Sequence, residues 1–191
     1  MLTSALAAAR RHRILTAALV TGVVLAGLEV PYLMIARSGG TLRTLSAQSA
    51  PRRENRPAPS FVVPTLEGAG TIGVGHADGR VTVLNFWASW CTASRAEAPV
   101  LEAVWNELRP AVRFLGVDEG DRRTDARSFE RELGVSYASG FDPNERIASH
   151  YGVFGLPYTF VIDRTGRIRL EFRGRVDPSS LRSVLRALVR T

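Results

Sequence analysis

The sequence predicts an α/β domain built as a three-layer sandwich, with helices on both faces of a mixed central sheet. Two apolar segments, residues 81–86 and 112–117, flank a helical pattern at 92–108, which is typical of a parallel strand–helix–strand crossover. Residues 158–162 and 167–172 follow as a hairpin pattern, which adds antiparallel strands at one side. Hydrophobic residues make up 45% of the chain, which is enough to form the core that this architecture needs.

The remaining elements follow from local signals in chain order. Short strands are expected at 60–63 and 70–75. Three further helices are expected at 125–133, at 144–151 and from Asp177 onward. The last of these has apolar residues on one face and arginines on the other, as a helix packed on a sheet would have.

An apolar run of 23 residues, 14–36, precedes the domain. At about 1.5 Å per residue it is long enough to span a hydrocarbon core of about 30 Å. The three arginines before the run predict that residues 1–13 are a cytoplasmic tail and that the domain lies outside the cytoplasmic membrane. A cleaved signal peptide is the alternative, but the small-residue stretch at 46–50 lies far beyond the run, which favours an uncleaved, single-pass signal anchor.

Residues 37–59 are rich in Gly, Ser, Arg and Pro and predict a flexible linker, so that the domain comprises residues 60–191. The net charge of +7 resides in the tail and the linker, because acids and arginines are nearly equal in number within the domain. This distribution argues against nucleic-acid binding. The three histidines are scattered and the chain has one cysteine, so no metal site and no other resident cofactor is expected.

Cys91, the only cysteine, is the strongest candidate for a reactive residue. An aromatic turn joins strand 81–86 to helix 92–108 and places Cys91 at the helix N-terminus, where free amide groups stabilise the nucleophilic thiolate. Ser94 lies one turn on, where a second cysteine could resolve a mixed disulfide. Its hydroxyl is expected instead to donate a hydrogen bond to Cys91. An inert, buried cysteine is the alternative interpretation.

Three motifs occur together and in order: Val-Leu-Asn-Phe-Trp-Ala-Ser-Trp-Cys at 83–91, Arg-Ala-Glu-Ala-Pro at 95–99, and Tyr-Gly-Val-Phe-Gly-Leu-Pro-Tyr-Thr-Phe-Val-Ile-Asp at 151–163. In this combination they resemble the thioredoxin superfamily. The resemblance is strongest to its membrane-anchored, extracytoplasmic branch, the TlpA, ResA and CcmG (DsbE) proteins, and covers about residues 58–189. It implies a thioredoxin-like fold.

The resemblance also implies roles for individual residues. Cys91 matches the attacking cysteine, and Glu97 matches an acid on the active-site helix that is thought to aid proton movement. Pro157 matches a cis proline that faces the cysteine, beside which an extended substrate pairs with the backbone from Leu156 to Tyr158. Trp90, Thr92 and Ala93, which flank the cysteine, are expected to form the rest of the substrate-binding surface.

Members of this branch with two cysteines reduce disulfides outside the cytoplasmic membrane, and many serve cytochrome c maturation. The resemblance therefore implies a disulfide- or thiol-bearing client protein, with apocytochrome c as one candidate, and a membrane electron donor. Ser94 departs from the pattern and leaves two hypotheses, a monothiol oxidoreductase or a thioredoxin-like module that binds thiol-bearing clients. A peroxidase of the peroxiredoxin type is disfavoured because its Pro-x-x-x-Thr-x-x-Cys pattern is absent before Cys91.

Overall fold

The computed structural model describes residues 51–75 and 79–190, which form eight strands and four helices. The strands are β1 (Arg52–Pro57), β2 (Phe61–Pro64), β3 (Thr71–Val74), β4 (Val81–Trp87), β5 (Val112–Glu119), β6 (Ala138–Asp142), β7 (Tyr158–Ile162) and β8 (Arg167–Arg173). The helices are α1 (Thr92–Leu108), α2 (Arg123–Leu133), α3 (Arg146–Tyr151) and α4 (Pro178–Arg190).

Six strands form one mixed sheet in the order β1-β8-β7-β4-β5-β6, and β2 and β3 form a separate antiparallel pair. Strands β4, β5 and β6 run parallel, whereas β7, β8 and β1 each pair antiparallel with their neighbours. The predicted crossover from β4 through α1 to β5 and the predicted β7–β8 hairpin are both confirmed. The two long apolar strands β4 and β5 lie inside the sheet, because they bury side chains on both faces.

Helices cover both faces of the sheet, as the three-layer prediction requires. Successive β4 side chains point to opposite faces. Val83 belongs to a buried cluster with Leu101 of α1 and Leu181 of α4. Phe86 belongs to a second cluster, on the other face, and its ring lies 5.4 Å from that of Tyr151 in α3. The thioredoxin-like α/β architecture expected from the sequence is therefore present.

Two strands depart from the prediction. Strand β1 lies within residues 37–59, which were expected to be a flexible linker, so the folded domain begins before residue 60. It forms because an edge strand needs one partner only, β8, and can keep a polar, arginine-rich sequence on its open side. Strand β6 was not expected, because Ala-Ser-Gly-Phe-Asp has few residues with high strand propensity.

The predicted tail, signal anchor and first part of the linker, residues 1–50, lie outside the described residues. Among the helices of residues 51–75 and 79–190, none has the length and apolarity that crossing a membrane requires. The predicted membrane span at 14–36 and the extracytoplasmic location therefore stay predictions.

Candidate functional site

The topology brings three chain segments to one end of the sheet. Strands β4 and β5 are parallel and end at Trp87 and Glu119, and the antiparallel β7 begins at Tyr158. In the register of the sheet, Trp87 lies opposite Asp118, and Phe86 lies opposite Tyr158. The loops that carry Cys91 and Pro157 and the loop after β5 therefore leave the sheet at the same end.

Cys91 caps the N-terminus of α1, as the sequence predicts. Its backbone is extended, and its Sγ accepts a hydrogen bond of 3.3 Å from the amide of Ser94. Its own amide donates to the carbonyl of Ala88 at 3.1 Å, which fixes the turn. The side chain is half-buried, so the sulfur has one face held by the helix and remains accessible to an attacking or attacked group.

Ser94 lies beneath the first turn of α1 and is only 2% exposed. The expected hydrogen bond from its hydroxyl to Cys91 is not formed, since the backbone amide donates instead. This is the usual geometry of a helix cap, in which the capping side chain accepts from the amide three residues on. Within the described part of the chain the buried Ser94 hydroxyl has no hydrogen-bond partner.

Pro157 follows a cis peptide bond, which confirms the expectation at this position. Its carbonyl accepts a hydrogen bond of 2.9 Å from the amide of Gly174, so that the loop is tied to the end of β8. The Tyr158 side chain is buried, and its hydroxyl donates to Glu171 at 2.6 Å. A client can therefore meet Tyr158 through the backbone only, whereas Leu156 is half-buried and offers its side chain as well.

Glu97 is buried under α1 and joins three other parts of the fold. Its Oε1 accepts from the amide of Val176 at 2.6 Å, and its Oε2 accepts from the side-chain amide of Asn85 at 3.1 Å. The same Asn85 nitrogen donates to the Thr159 hydroxyl at 3.0 Å. Burial raises the pKa of Glu97 to about 7, although the hydrogen bonds from Val176 and Asn85 oppose the shift. A carboxyl with this pKa exchanges its proton near neutral pH, as a proton carrier must.

The turn before Cys91 is held by the loop after β5. The Ser89 amide donates to Asp121 at 2.6 Å, and the Trp90 Nε1 donates to the carbonyl of Gly120 at 3.2 Å. Trp90 is nevertheless 63% exposed, and Thr92 next to the cysteine is exposed too, while Ala93 is half-buried. Trp90 and Thr92 are therefore accessible next to Cys91, and Ala93 is partly so; a role of the three in substrate binding stays a prediction.

Two acids at the end of β5 were missed by sequence reasoning. Asp118 is fully buried, and neither of its oxygens has a hydrogen-bond partner within residues 51–75 and 79–190. Burial, together with the charge of Asp121, raises the pKa of Asp118 to about 9. Burial and the neighbouring Glu145 raise the pKa of Glu119 to about 7. The sequence signal that could have indicated them is that both acids stand at the carboxyl end of a buried strand that follows the β4–α1 unit.

A groove of about 430 Å³ lies beside Trp90. Its lining combines the apolar side chains of Trp90, Phe154 and Leu156 with the acids Glu119 and Glu145. Phe154 is 96% exposed and is the most exposed large apolar side chain of the described residues. Over the same residues, no group of three or more His, Cys, Asp or Glu side chains could hold a metal ion.

The fold and site can be compared with known proteins. The model of the AhpC/TSA family matches residues 55–171. The chain belongs to this family. A thiol:disulfide interchange protein DsbE of Xylella fastidiosa is 33% identical over 82% of this chain and 81% of the relative. A thiol:disulfide interchange protein HelX of Rhodobacter capsulatus is 37% identical over 51% of this chain, which spans only 54% of that relative.

A solved structure extends the likeness to three dimensions. A secreted disulfide oxidoreductase of Mycobacterium tuberculosis, described as homologous to Escherichia coli DsbE, superposes with a TM-score of 0.60 and 26% identity. The match covers 67% of this chain and 96% of that protein. The resemblance to the DsbE branch drawn from the motifs is thereby confirmed.

Proposed function

We propose that this chain is a monothiol thiol-disulfide exchange protein that acts through Cys91. The observation that carries the proposal is a lone cysteine that caps a helix at the same end of the sheet as a cis proline, in a chain similar to thiol:disulfide interchange proteins. A helix N-terminus stabilises the thiolate that such exchange requires.

The chemistry is a pair of exchanges that conserve electrons. The Cys91 thiolate attacks one sulfur of a client disulfide, so that a mixed disulfide forms and the other client sulfur leaves as a thiolate, which takes up a proton. A second thiolate, from the client or from a small thiol, then attacks the client sulfur of the mixed disulfide and regenerates Cys91. The net result is isomerisation of the client or transfer of the disulfide to the second thiol.

The placement of this activity is part of the proposal. A signal anchor at 14–36 would hold the domain outside the cytoplasmic membrane, with residues 1–13 inside. Clients are then extracytoplasmic polypeptides with cysteines, apocytochrome c among them, and a membrane protein would supply electrons. The similarity to DsbE proteins supports this assignment.

Trapping in cells tests the exchange activity. Cells that express the full chain or its Cys91→Ala variant are quenched with acid and alkylated, and their membranes are run on non-reducing gels. We expect a reducible, higher band for the wild-type chain only, and its identification names the client. A Ser94→Ala variant is the matched control and keeps the band, because the sulfur is unchanged.

A binding module without exchange activity is the second candidate, favoured by the missing second thiol and the exposed apolar groove. Such a module holds thiol-bearing clients and does not need the sulfur. If no reducible band forms while Cys91 is readily alkylated as a free thiol, exchange is contradicted and the binding module becomes the better assignment.

A further inference from the structure

The groove beside Trp90 has two chemically different walls. Trp90 and Phe154 are largely exposed and provide an apolar wall. Glu119 and Glu145 provide an acidic wall. Trp90 directly precedes Cys91, and Leu156 directly precedes Pro157, so a polypeptide that reaches Cys91 along the cis-proline loop passes this groove.

Glu119 is the most informative residue of the acidic wall. It is 8% exposed, and its Oε2 has no hydrogen-bond partner within the described residues. A buried carboxyl oxygen without a partner costs free energy, which a bound donor or cation would recover. Nearby Asp142 does not serve this purpose, because it is itself an acid and its oxygens accept from backbone amides of α3.

Glu145 is held beside Glu119 by unusual backbone geometry. It has a φ of +54°, which is uncommon for a residue with a side chain. Its Oε1 lies 2.5 Å from the position that a Cβ of Gly120 would take, so a larger residue at position 120 would push this carboxylate aside. The same Gly120 accepts the hydrogen bond from Trp90. Gly120 therefore lies next to both the acidic wall and the tryptophan that precedes Cys91.

The described part of the chain does not neutralise this wall. Neither Glu119 nor Glu145 forms a salt bridge within residues 51–75 and 79–190. The two arginines that follow Glu119 in sequence are engaged elsewhere, since Arg122 pairs with Asp125 and Arg123 donates to the carbonyl of Thr65 at 2.8 Å. A cation supplied by a partner would complement the two carboxylates.

We propose that this groove selects client segments in which the reactive cysteine lies within two residues of an arginine or lysine and beside an apolar side chain. The cation lies against Glu119 and Glu145, and the apolar side chain packs on Trp90 and Phe154. The proposal rests on the proposed exchange at Cys91 and specifies its substrate class. It requires no change in the exchange chemistry, because the groove contributes binding alone.

The test uses the purified full chain in detergent and three extended peptides. Each peptide carries its cysteine as a mixed disulfide with 5-thio-2-nitrobenzoate, so that attack by Cys91 releases a coloured thiolate. The peptides differ at a single position two residues from the cysteine, which is Arg, Gln or Glu. We expect the second-order rate constants to fall in that order, with about a tenfold difference between Arg and Glu, as for partly desolvated charge pairs.

Three variants locate the effect. Glu119→Gln and Glu145→Gln should each reduce the ratio of the Arg to the Glu rate constant to about threefold or less, as expected when one charge of the pair is removed. Both are near-isosteric, and the Glu145 side chain lies at the surface, so the fold is retained in at least this variant. Glu67→Gln removes the same charge from an exposed position outside the groove and should leave the ratio unchanged.

The outcomes separate this proposal from the function on which it rests. Equal rate constants for all three peptides, each above those of Cys91→Ala, overturn the groove proposal and leave exchange standing. If no peptide reacts faster than with Cys91→Ala, exchange fails. In that case the groove proposal is decided by calorimetry, which measures the binding of the same peptides with serine in place of cysteine. A preference for the Arg peptide supports it, and equal affinities or no binding overturn it.

Discussion

Cys91 and Ser94 occupy two positions of one helical turn that a disulfide could join. On a helix with a Cα radius of about 2.3 Å and a rise of about 1.5 Å per residue, Cα atoms three residues apart lie about 5 Å apart. That distance falls within the range of about 4.4–6.8 Å over which disulfides join Cα atoms. Ser94 is buried, and its hydroxyl has no partner among the described residues. A sulfur at this position would therefore break no hydrogen bond.

We expect Ser94→Cys to form an internal disulfide and to gain the ability to reduce a general disulfide substrate. After equilibration with an oxidised thiol buffer, mass spectrometry should find the variant two hydrogens lighter and without bound buffer thiol. Ser89→Cys, in the turn before Cys91 but outside the helix, is the control and should carry its cysteines as free thiols or as mixed disulfides with the buffer thiol. Two free thiols in Ser94→Cys under the same conditions would show that the first turn of α1 does not support the dithiol geometry.

At the scale of elements, the short helix α3 depends on one acid of the preceding strand. Asp142 accepts from the amides of Arg146 at 3.0 Å, of Ile147 at 2.8 Å and of Ala148 at 3.2 Å. These groups are the unpaired donors of the first turn, and the negative charge also suits the helix N-terminus. Because Glu145 and Ala148 line the groove, Asp142 also fixes one wall of the candidate site.

We expect Asp142→Ala to lower the free energy of unfolding by about 2–3 kcal/mol, since several amides lose a buried acceptor. Urea denaturation measures the change. Asp142→Asn keeps one acceptor oxygen and should fall between the wild type and Asp142→Ala. Asp177→Ala removes the half-buried cap of α4 and should cost only about 1 kcal/mol. An equal loss in the Asp142 and Asp177 variants would contradict a special role for the buried cap.

For the whole molecule, eight acids of the described residues have a shifted pKa and fall into two sets with opposite effects on stability. Burial raises the pKa of one set: Glu97, Asp118, Glu119 and Glu130. Hydrogen bonds lower the pKa of the other: Glu107, Asp163, Glu171 and Asp177. The first set binds protons more tightly in the folded state, so stability falls as the pH rises above the unfolded pKa of about 4. The second set loses its stabilisation as the pH falls below that value, so stability should be greatest near pH 4–5.

Glu97 provides the sharpest test of this pH dependence. With a pKa raised from 4.5 to about 7, it should cost about 2 kcal/mol of stability between pH 5 and pH 8. Glu97→Gln should remove that part of the slope in urea denaturation at the two pH values. Glu107→Gln is the control, because its pKa is lowered and its contribution changes only below pH 5. Parallel slopes for wild type and Glu97→Gln would refute the assignment.

Short-range patterns predicted the centre of the fold and much of the site. β4 and β5 are mostly apolar, so the sequence alone placed them inside the sheet. The turn after β4 placed Cys91 at a helix N-terminus, and the motif around Pro157 indicated the cis bond. In each case the information lies within about ten consecutive residues.

The rest depends on contacts between distant parts of the chain. The arginine-rich sequence of β1 is typical of a linker, and it forms a strand only because it pairs with β8. The backbone amide of Ser94 donates to Cys91 Sγ in place of the Ser94 hydroxyl, because Cys91 caps the helix. The acidic wall combines Glu119 of β5 with Glu145 before α3, which the sheet brings together. No pattern along the sequence contains these pairings.

The serine beneath Cys91 has a kinetic consequence. With a second thiol one helical turn away, a mixed disulfide would decay in a first-order step at a rate fixed by the protein. In this chain no resident thiol can take that step, so a client whose own thiols do not reach the mixed disulfide is released in a second-order step by an arriving thiol. The lifetime of such a client is then inversely proportional to the concentration of thiols in its surroundings, so the protein holds it longest where the compartment is most oxidising.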